Sequence, residues 1–119
     1  MKKIIGSISS RTTFRNRTEI EEGSVVTIQI ACIEVLDASA IVLGEEKIND
    51  PKAFPIQFEC EYDDEYLNDK YQHGVFAISA RIELDGKLTY INETPFLIFD
   101  FESRDFLDCI DFHVNPVQH

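Results

Sequence analysis

The sequence predicts an all-β protein: an antiparallel β-sandwich of about seven to eight short strands, with at most single helical turns. Three observations carry this. Several segments alternate apolar and other residues with period two, which turns one side of a strand inward. Turn signals punctuate them at Glu22-Gly23, Asn49-Asp50-Pro51, His73-Gly74, Asp85-Gly86 and Thr94-Pro95. No long run repeats with the helical period.

The elements follow in order. Residues 3–9 make a short first strand. In "SVVTIQIACIEVL" the positions Val26, Ile28, Ile30 and Cys32 face one way. The opposite face is also partly apolar, with Ala31, Ile33 and Val35, so this strand is central. Residues 39–48 are a further strand. In "AFPIQFECEY" Phe54, Ile56, Phe58, Cys60 and Tyr62 point inward. Pro55 has no amide donor, which makes 54–62 an edge strand or one bulged at the proline. In "GVFAISARIEL" the inward set is Phe76, Ile78, Ala80, Ile82 and Leu84. A three-residue loop, Leu84-Asp85-Gly86, pairs Glu83 with Lys87, Ile82 with Leu88 and Ala80 with Tyr90. It is preferred over a two-residue Asp85-Gly86 loop because it matches apolar with apolar and acid with base. Residues 96–101 form another strand, 110–114 a weak last one, and single helical turns fit 64–70 and 103–109.

The chain has 119 residues, the size of one domain, with 44% apolar and 28% charged residues. Its net charge of −11 disfavours nucleic acid and anionic lipid as partners. No stretch approaches about 20 apolar residues, the length of a transmembrane helix. "MKKIIGSISS" has the lysines of a signal peptide without its apolar core, so the sequence as it stands reads as cytoplasmic.

Chemistry-bearing residues are sparse. Of three cysteines, Cys32 and Cys60 lie on apolar strand faces as small hydrophobes, and an odd count leaves Cys109 or another thiol free. Glu59 and Glu61 flank Cys60 and raise its pKa, the opposite of nucleophile activation. The "IQIAC" ending at Cys32 lacks the apolar segment of a lipoprotein cleavage box. His73, His113 and His119 have no zinc spacing. The acidic run Glu59, Glu61, Asp63, Asp64, Glu65 lacks the glycine pattern of a calcium loop and reads as a solvated edge. Asn-x-Thr triplets at Asn16 and Asn92 matter only in a glycosylating pathway. The expectation is no catalytic, cofactor-binding or metal site.

The ordered segments resemble a known family. An early Gly-Ser-Ile strand precedes "RNRTEIEEGSVVTIQIACIEVLDASA", then "FPIQFECEYD", then "YQHGVFAISARIELDGKLTYINETP". This is similar to the small lipoprotein domain typified by YbaY and by YscW, the type III secretion pilotin. Arg17, Gly23, Asp37, Pro55, Ile56, Phe58, Tyr62, Asp63, Tyr71, Ala80, Arg81, Ile82, Glu83, Asp85 and Gly86 fit its pattern in order. The resemblance covers about residues 4–99, leaving 100–119 as a C-terminal extension of a single domain. The Leu-Pro of the family's first turn is Ile20-Glu21 here, and its lipidated N-terminal cysteine and signal peptide are absent.

The resemblance implies an antiparallel β-sandwich without known catalysis, and a periplasmic place at the outer membrane where an N-terminal segment has been removed. It also implies a protein partner. Pilotin members help a secretin, the outer-membrane ring of a secretion apparatus, to assemble. An accessory chaperone that takes up a peptide segment, such as a secretin C-terminal region along an open strand edge, is therefore the leading expectation. A small-molecule or glycan-binding sandwich is the alternative. Arg81 is the charged strand residue that recurs in the pattern. A structural salt bridge across the sheet, to Asp63 or another acid, is its expected role.

Overall fold

A computed structural model describes residues 2–10, 19–34, 40–63, 74–92, 94–100 and 105–117, and it is all-β among them. In chain order the strands are β1 (Lys2–Ser10), β2 (Val25–Glu34), β3 (Ala40–Asn49), β4 (Ile56–Tyr62) and β5 (Gly74–Leu84). They continue with β6 (Lys87–Ile91), β7 (Phe96–Leu97), β8 (Phe99–Asp100), β9 (Asp105–Phe106) and β10 (Cys109–Pro116). One sheet runs β3-β2-β5-β6-β10-β1-β4, with β7 also on β5, while β8 and β9 pair separately.

This is one mixed sheet curled almost into a barrel, rather than two antiparallel sheets facing each other. β1 pairs with β10 in parallel, Ile5 beside Cys109 through Ser10 beside Val114. Alternation reports which side of a strand is buried, but not the direction of a neighbour from the other end of the chain, so the sequence did not disclose the parallel pair. The ends of the sheet meet where β3 and β4 approach. The Asp63 amide donates to the Leu43 carbonyl at 3.0 Å. Gly44 makes the approach close, because a Cβ there would sit 2.1 Å from the Glu61 carbonyl oxygen.

The inward positions read from the alternation are buried, except Leu84, which is half-buried at the hairpin. Ile28, Ile30, Ile56, Phe58, Ile78, Ala80 and Ile82 join Ile4, Ile8, Phe112 and Val114 in one core, with Phe54 and Phe76 among them. β2 is central, between β3 and β5, as its two apolar faces predicted. β4 starts after Pro55, at the end of the sheet path where a missing amide donor is tolerated. The expected 96–101 strand is split into β7 and β8. Instead of a helical turn at 103–109, residues 105–106 are β9 and Cys109 begins β10, while 64–70 lies outside the described residues.

The β5–β6 hairpin departs from the expected register. Its loop is the two-residue Asp85-Gly86, with Leu84 opposite Lys87 and Glu83 opposite Leu88. Asp85 (φ 52°) and Gly86 (φ 79°) are both left-handed, the requirement of the mirror-image turn that matches strand twist. The extra residue sits inside the strand at Thr89, so Ile82 faces Tyr90. The Thr89 hydroxyl donates to the Ile82 carbonyl at 3.0 Å. This bulge returns Tyr90 to the inner side, where its ring meets Phe54 edge-on at 5.2 Å between centroids. Leu88 is left beside Glu83 rather than in the core.

Candidate protein-binding face

Strands β2 and β5 lie side by side over their full lengths, so their outward residues form rows across the sheet. Ala31 pairs with Val42 of β3 on one side and with Ala77 of β5 on the other, and Ala77 pairs with Leu97 of β7. The row Val42–Ala31–Ala77–Leu97 is apolar from end to end. Its outer members are among the large hydrophobics left in solvent, Val42 at 52% and Leu97 at 49% exposure. The next row adds Ile33 and Val75, partners across β2 and β5. Two alanines between taller side chains make a shallow trough, with about 14 Å between the main chains of its rim strands from three strand spacings.

Towards the hairpin the same face turns polar. Gln29 donates to the Glu45 carboxylate at 2.9 Å. Thr27, Gln29, Ser79, Arg81, Ile91, Asn92 and Pro95 enclose a cleft of about 250 Å³ that continues the trough. Arg81 does not reach Asp63. Its Nε pairs with Glu83, two residues along the same strand, at 2.9 Å with both side chains partly exposed. Asp63 ends β4 against β3 and lies across the sheet path from β5, which is why the anticipated cross-sheet pair does not form.

Asn92 is the polar residue whose role the sequence concealed. It is buried, and its side chain bridges the gap on the edge of β5 between β6 and β7. Its Oδ1 accepts from the Ala80 amide at 2.9 Å, and its Nδ2 donates to the Ile78 and Thr94 carbonyls at 3.3 and 3.4 Å. The Asn-x-Thr triplet here is structural, with its amide committed to main chain. Asn16 of the other triplet lies outside the described residues. Among the described residues every buried side-chain nitrogen or oxygen has a partner.

Cys32 and Cys60 are buried as expected, and Cys109 is exposed. Burial pushes the Cys60 thiol up to about 11, with Glu46, Glu45 and Glu61 adding to the effect. Glu59, expected to contribute, points outward to Lys3 Nζ at 2.7 Å. Glu59 and Glu61 stand on the exposed side of β4 and, with Leu43, Gly44, Glu45 and Glu46, line a groove of about 520 Å³ along the β3–β4 seam. His113 is exposed on β10, while His73, His119, Asp64 and Glu65 lie outside the described residues, as do Arg17, Asp37 and Tyr71 of the family pattern. Among the described residues no three histidine, cysteine or carboxylate side chains converge as metal ligands. No helix among them is long and apolar enough to cross a membrane.

The sequence held part of the signal for this face. Ala31 and Ile33 are visible in the sequence as a second, partly apolar side of β2, which marks that strand as central. Val42 and Leu97 carry no such pattern on their own, since only the pairing of β3, β2, β5 and β7 aligns them.

Comparison with known proteins agrees with the fold. Residues 3–106 match the family described as type III secretion system lipoprotein chaperone (YscW). The chain is also similar to a solved structure, that of an alternative pilotin from the type II secretion system of Vibrio cholerae. The TM-score is 0.80 at 23% identity, over 99% of this chain and 98% of that one, a likeness of fold. No curated protein sequence matches the chain significantly.

Proposed function

The chain belongs to the type III secretion system lipoprotein chaperone (YscW) family, and from that premise we propose that it is a non-enzymatic, pilotin-like chaperone that holds a segment of a secretin. The family match over residues 3–106 carries this reading. The neighbouring pilotin belongs to a type II system and the family description names type III, so the reading commits to neither system, and its secretin partner is the one the family resemblance implies.

The trough supplies a plausible seat on physical grounds. Exposed Val42 and Leu97 in one apolar row are what a partner would cover. Both sheet ends are engaged with each other at Gly44 and Glu61, and β2 and β5 have strand neighbours on both sides. The floor strands therefore offer no main-chain edge, and a bound segment packs over them by its side chains, while β7 at the rim is paired with β5 alone among the described residues.

The test is titration of the labelled chain with peptides from the C-terminal region of a secretin encoded by the same organism, followed by backbone amide shifts. Shifts centred on Ala31, Ile33, Val42, Val75, Ala77 and Leu97 are expected. Absence of binding by every such peptide, or shifts confined to the opposite end around Glu21, Leu84 and Thr89, would overturn the reading.

A further inference from the structure

The trough has unlike borders. Beyond Val42 the outer face runs into the β3–β4 seam, where Glu45, Glu46, Glu59 and Glu61 line one groove. Glu45 lies opposite Gln29, one outward row along from the Val42–Ala31 pair, so the acids adjoin the apolar rim. Compensation is incomplete. Lys3 holds Glu59 at 2.7 Å, and Lys47 stands 3.9 Å from Glu45, with all of these side chains largely in solvent. Glu46 and Glu61 add negative potential that reaches inward as far as the Cys60 thiol. The hairpin end differs, for there the face carries Pro95 and Arg81, the latter in its pair with Glu83.

Resting on the chaperone reading above, we infer that the trough takes an amphipathic segment with an apolar stripe and lysines or arginines along the side that overlies the β3–β4 seam. The stripe covers Ala31, Ala77 and the facing sides of Val42 and Leu97. A segment lying over β2 and β5 has to satisfy its own main chain, because both strands are paired on each side, and a helix does so. The basic side answers the acids of the seam and fixes which way round the segment lies. An acidic side there would face like charge at the rim.

The experiment uses two designed 18-residue helical peptides with the same leucine and alanine stripe, one flanked by lysines and the other by glutamates. Binding to the full chain is measured by calorimetry, with the footprint read from amide shifts. The lysine peptide should bind at least about tenfold more tightly at about 50 mM salt, and the ratio should fall below about threefold at about 0.5 M as charges are screened. The triple variant Glu45→Gln, Glu46→Gln, Glu61→Gln should lose most of that preference. The equally neutralised Glu19→Gln, Glu21→Gln, Glu22→Gln should keep it, which separates the seam from the overall charge. Equal binding of both peptides on the trough, or equal losses in the two variants, would overturn the charged-flank inference and leave the chaperone reading standing. A footprint away from Val42 and Leu97 for both peptides would overturn the trough as the seat, and the inference with it.

Discussion

Replacing Asn92 by alanine tests whether one side chain completes the sheet. In the wild-type chain its Oδ1 accepts from the Ala80 amide at 2.9 Å, in a buried position between β6 and β7. The alanine variant leaves that amide without a partner, a loss of about 1–3 kcal/mol. The Ile78 and Thr94 carbonyls lose longer bonds of 3.3 and 3.4 Å, and a carbonyl with a second lone pair suffers less. The Asn92 amide keeps its own bond to the Ala80 carbonyl at 3.3 Å, so the chain path survives. The sum is about 2–3 kcal/mol, and with a urea slope of about 1–3 kcal/mol per molar the unfolding midpoint should fall by roughly 0.7–3 M. Urea melts by circular dichroism measure it, and faster exchange of the Ala80 amide locates it. Asn92→Asp sharpens the test. It retains an acceptor for Ala80 but sets a carboxylate against two carbonyl oxygens, which raises its folded pKa above the unfolded value. Its deficit relative to wild type should therefore be small below the unfolded pKa and grow as pH rises through the folded one. An alanine variant within about 0.5 kcal/mol of wild type, or an aspartate variant whose deficit does not depend on pH, would refute the bridging role.

Phe58→Ala, which empties a site where the ring meets Phe112 edge-on at 5.8 Å, should cost about 3–5 kcal/mol in the same melts. A thiol reagent at neutral pH should label Cys109 rapidly and leave Cys32 and Cys60 slow until denaturant is added; fast native labelling of Cys60 would contradict a buried thiol with its pKa near 11. Asp50 is held below the usual carboxylate range by its hydrogen bond from Lys52, then by the Gly23 amide. Its contribution should be present above the unfolded pKa and fade as pH falls through the folded one, a loss that Asp50→Asn should not show when melts are compared between pH 6 and pH 2. Gly44→Val should destabilise the chain and loosen the β3–β4 closure, seen as faster exchange of the Asp63 amide, because its Cβ meets the Glu61 carbonyl at 2.1 Å.

What the sequence disclosed and withheld divides along one physical line. Burial of one side of a strand is written in its own alternation, so Ile28, Phe58, Ile78 and their neighbours were readable as core without knowing any partner strand. Strand pairing is not written locally. The parallel contact of β1 with β10 joins residues about a hundred positions apart, and nothing in "KIIGSIS" or "IDFHV" specifies direction. The hairpin shows the boundary at finer scale. Matching Ile82 with Leu88 and Glu83 with Lys87 was sound pair chemistry, yet two left-handed residues close a tighter turn. A bulge at Thr89 then restores the inward position of Tyr90 at the expense of Leu88.

The same division explains why the candidate site was the least legible part. A partner-binding face on a sheet consists of outward residues from several strands, and outward positions obey no alternation rule of their own. Ala31 and Ala77 look like fillers in sequence; they become a floor once β2 and β5 are adjacent, and Val42 and Leu97 become rims only through β3 and β7. Glu59 and Glu61 read in the sequence as part of a solvated edge, and Glu45 and Glu46 drew no reading of their own. Their consequence comes from closure. By bringing β4 against β3 at Gly44, the curled sheet sets Glu59 and Glu61 of one strand beside Glu45 of the other, along the rim of an apolar trough, with Glu46 in the same groove opposite the core residue Ile28. Two flat, separate sheets would have kept those charges apart. Mixed topology and near-closure, the features that alternation could not supply, are therefore what turn an acidic edge and an apolar face into neighbours, and a change that opens the seam should weaken discrimination between basic and acidic segments while leaving the apolar row in place.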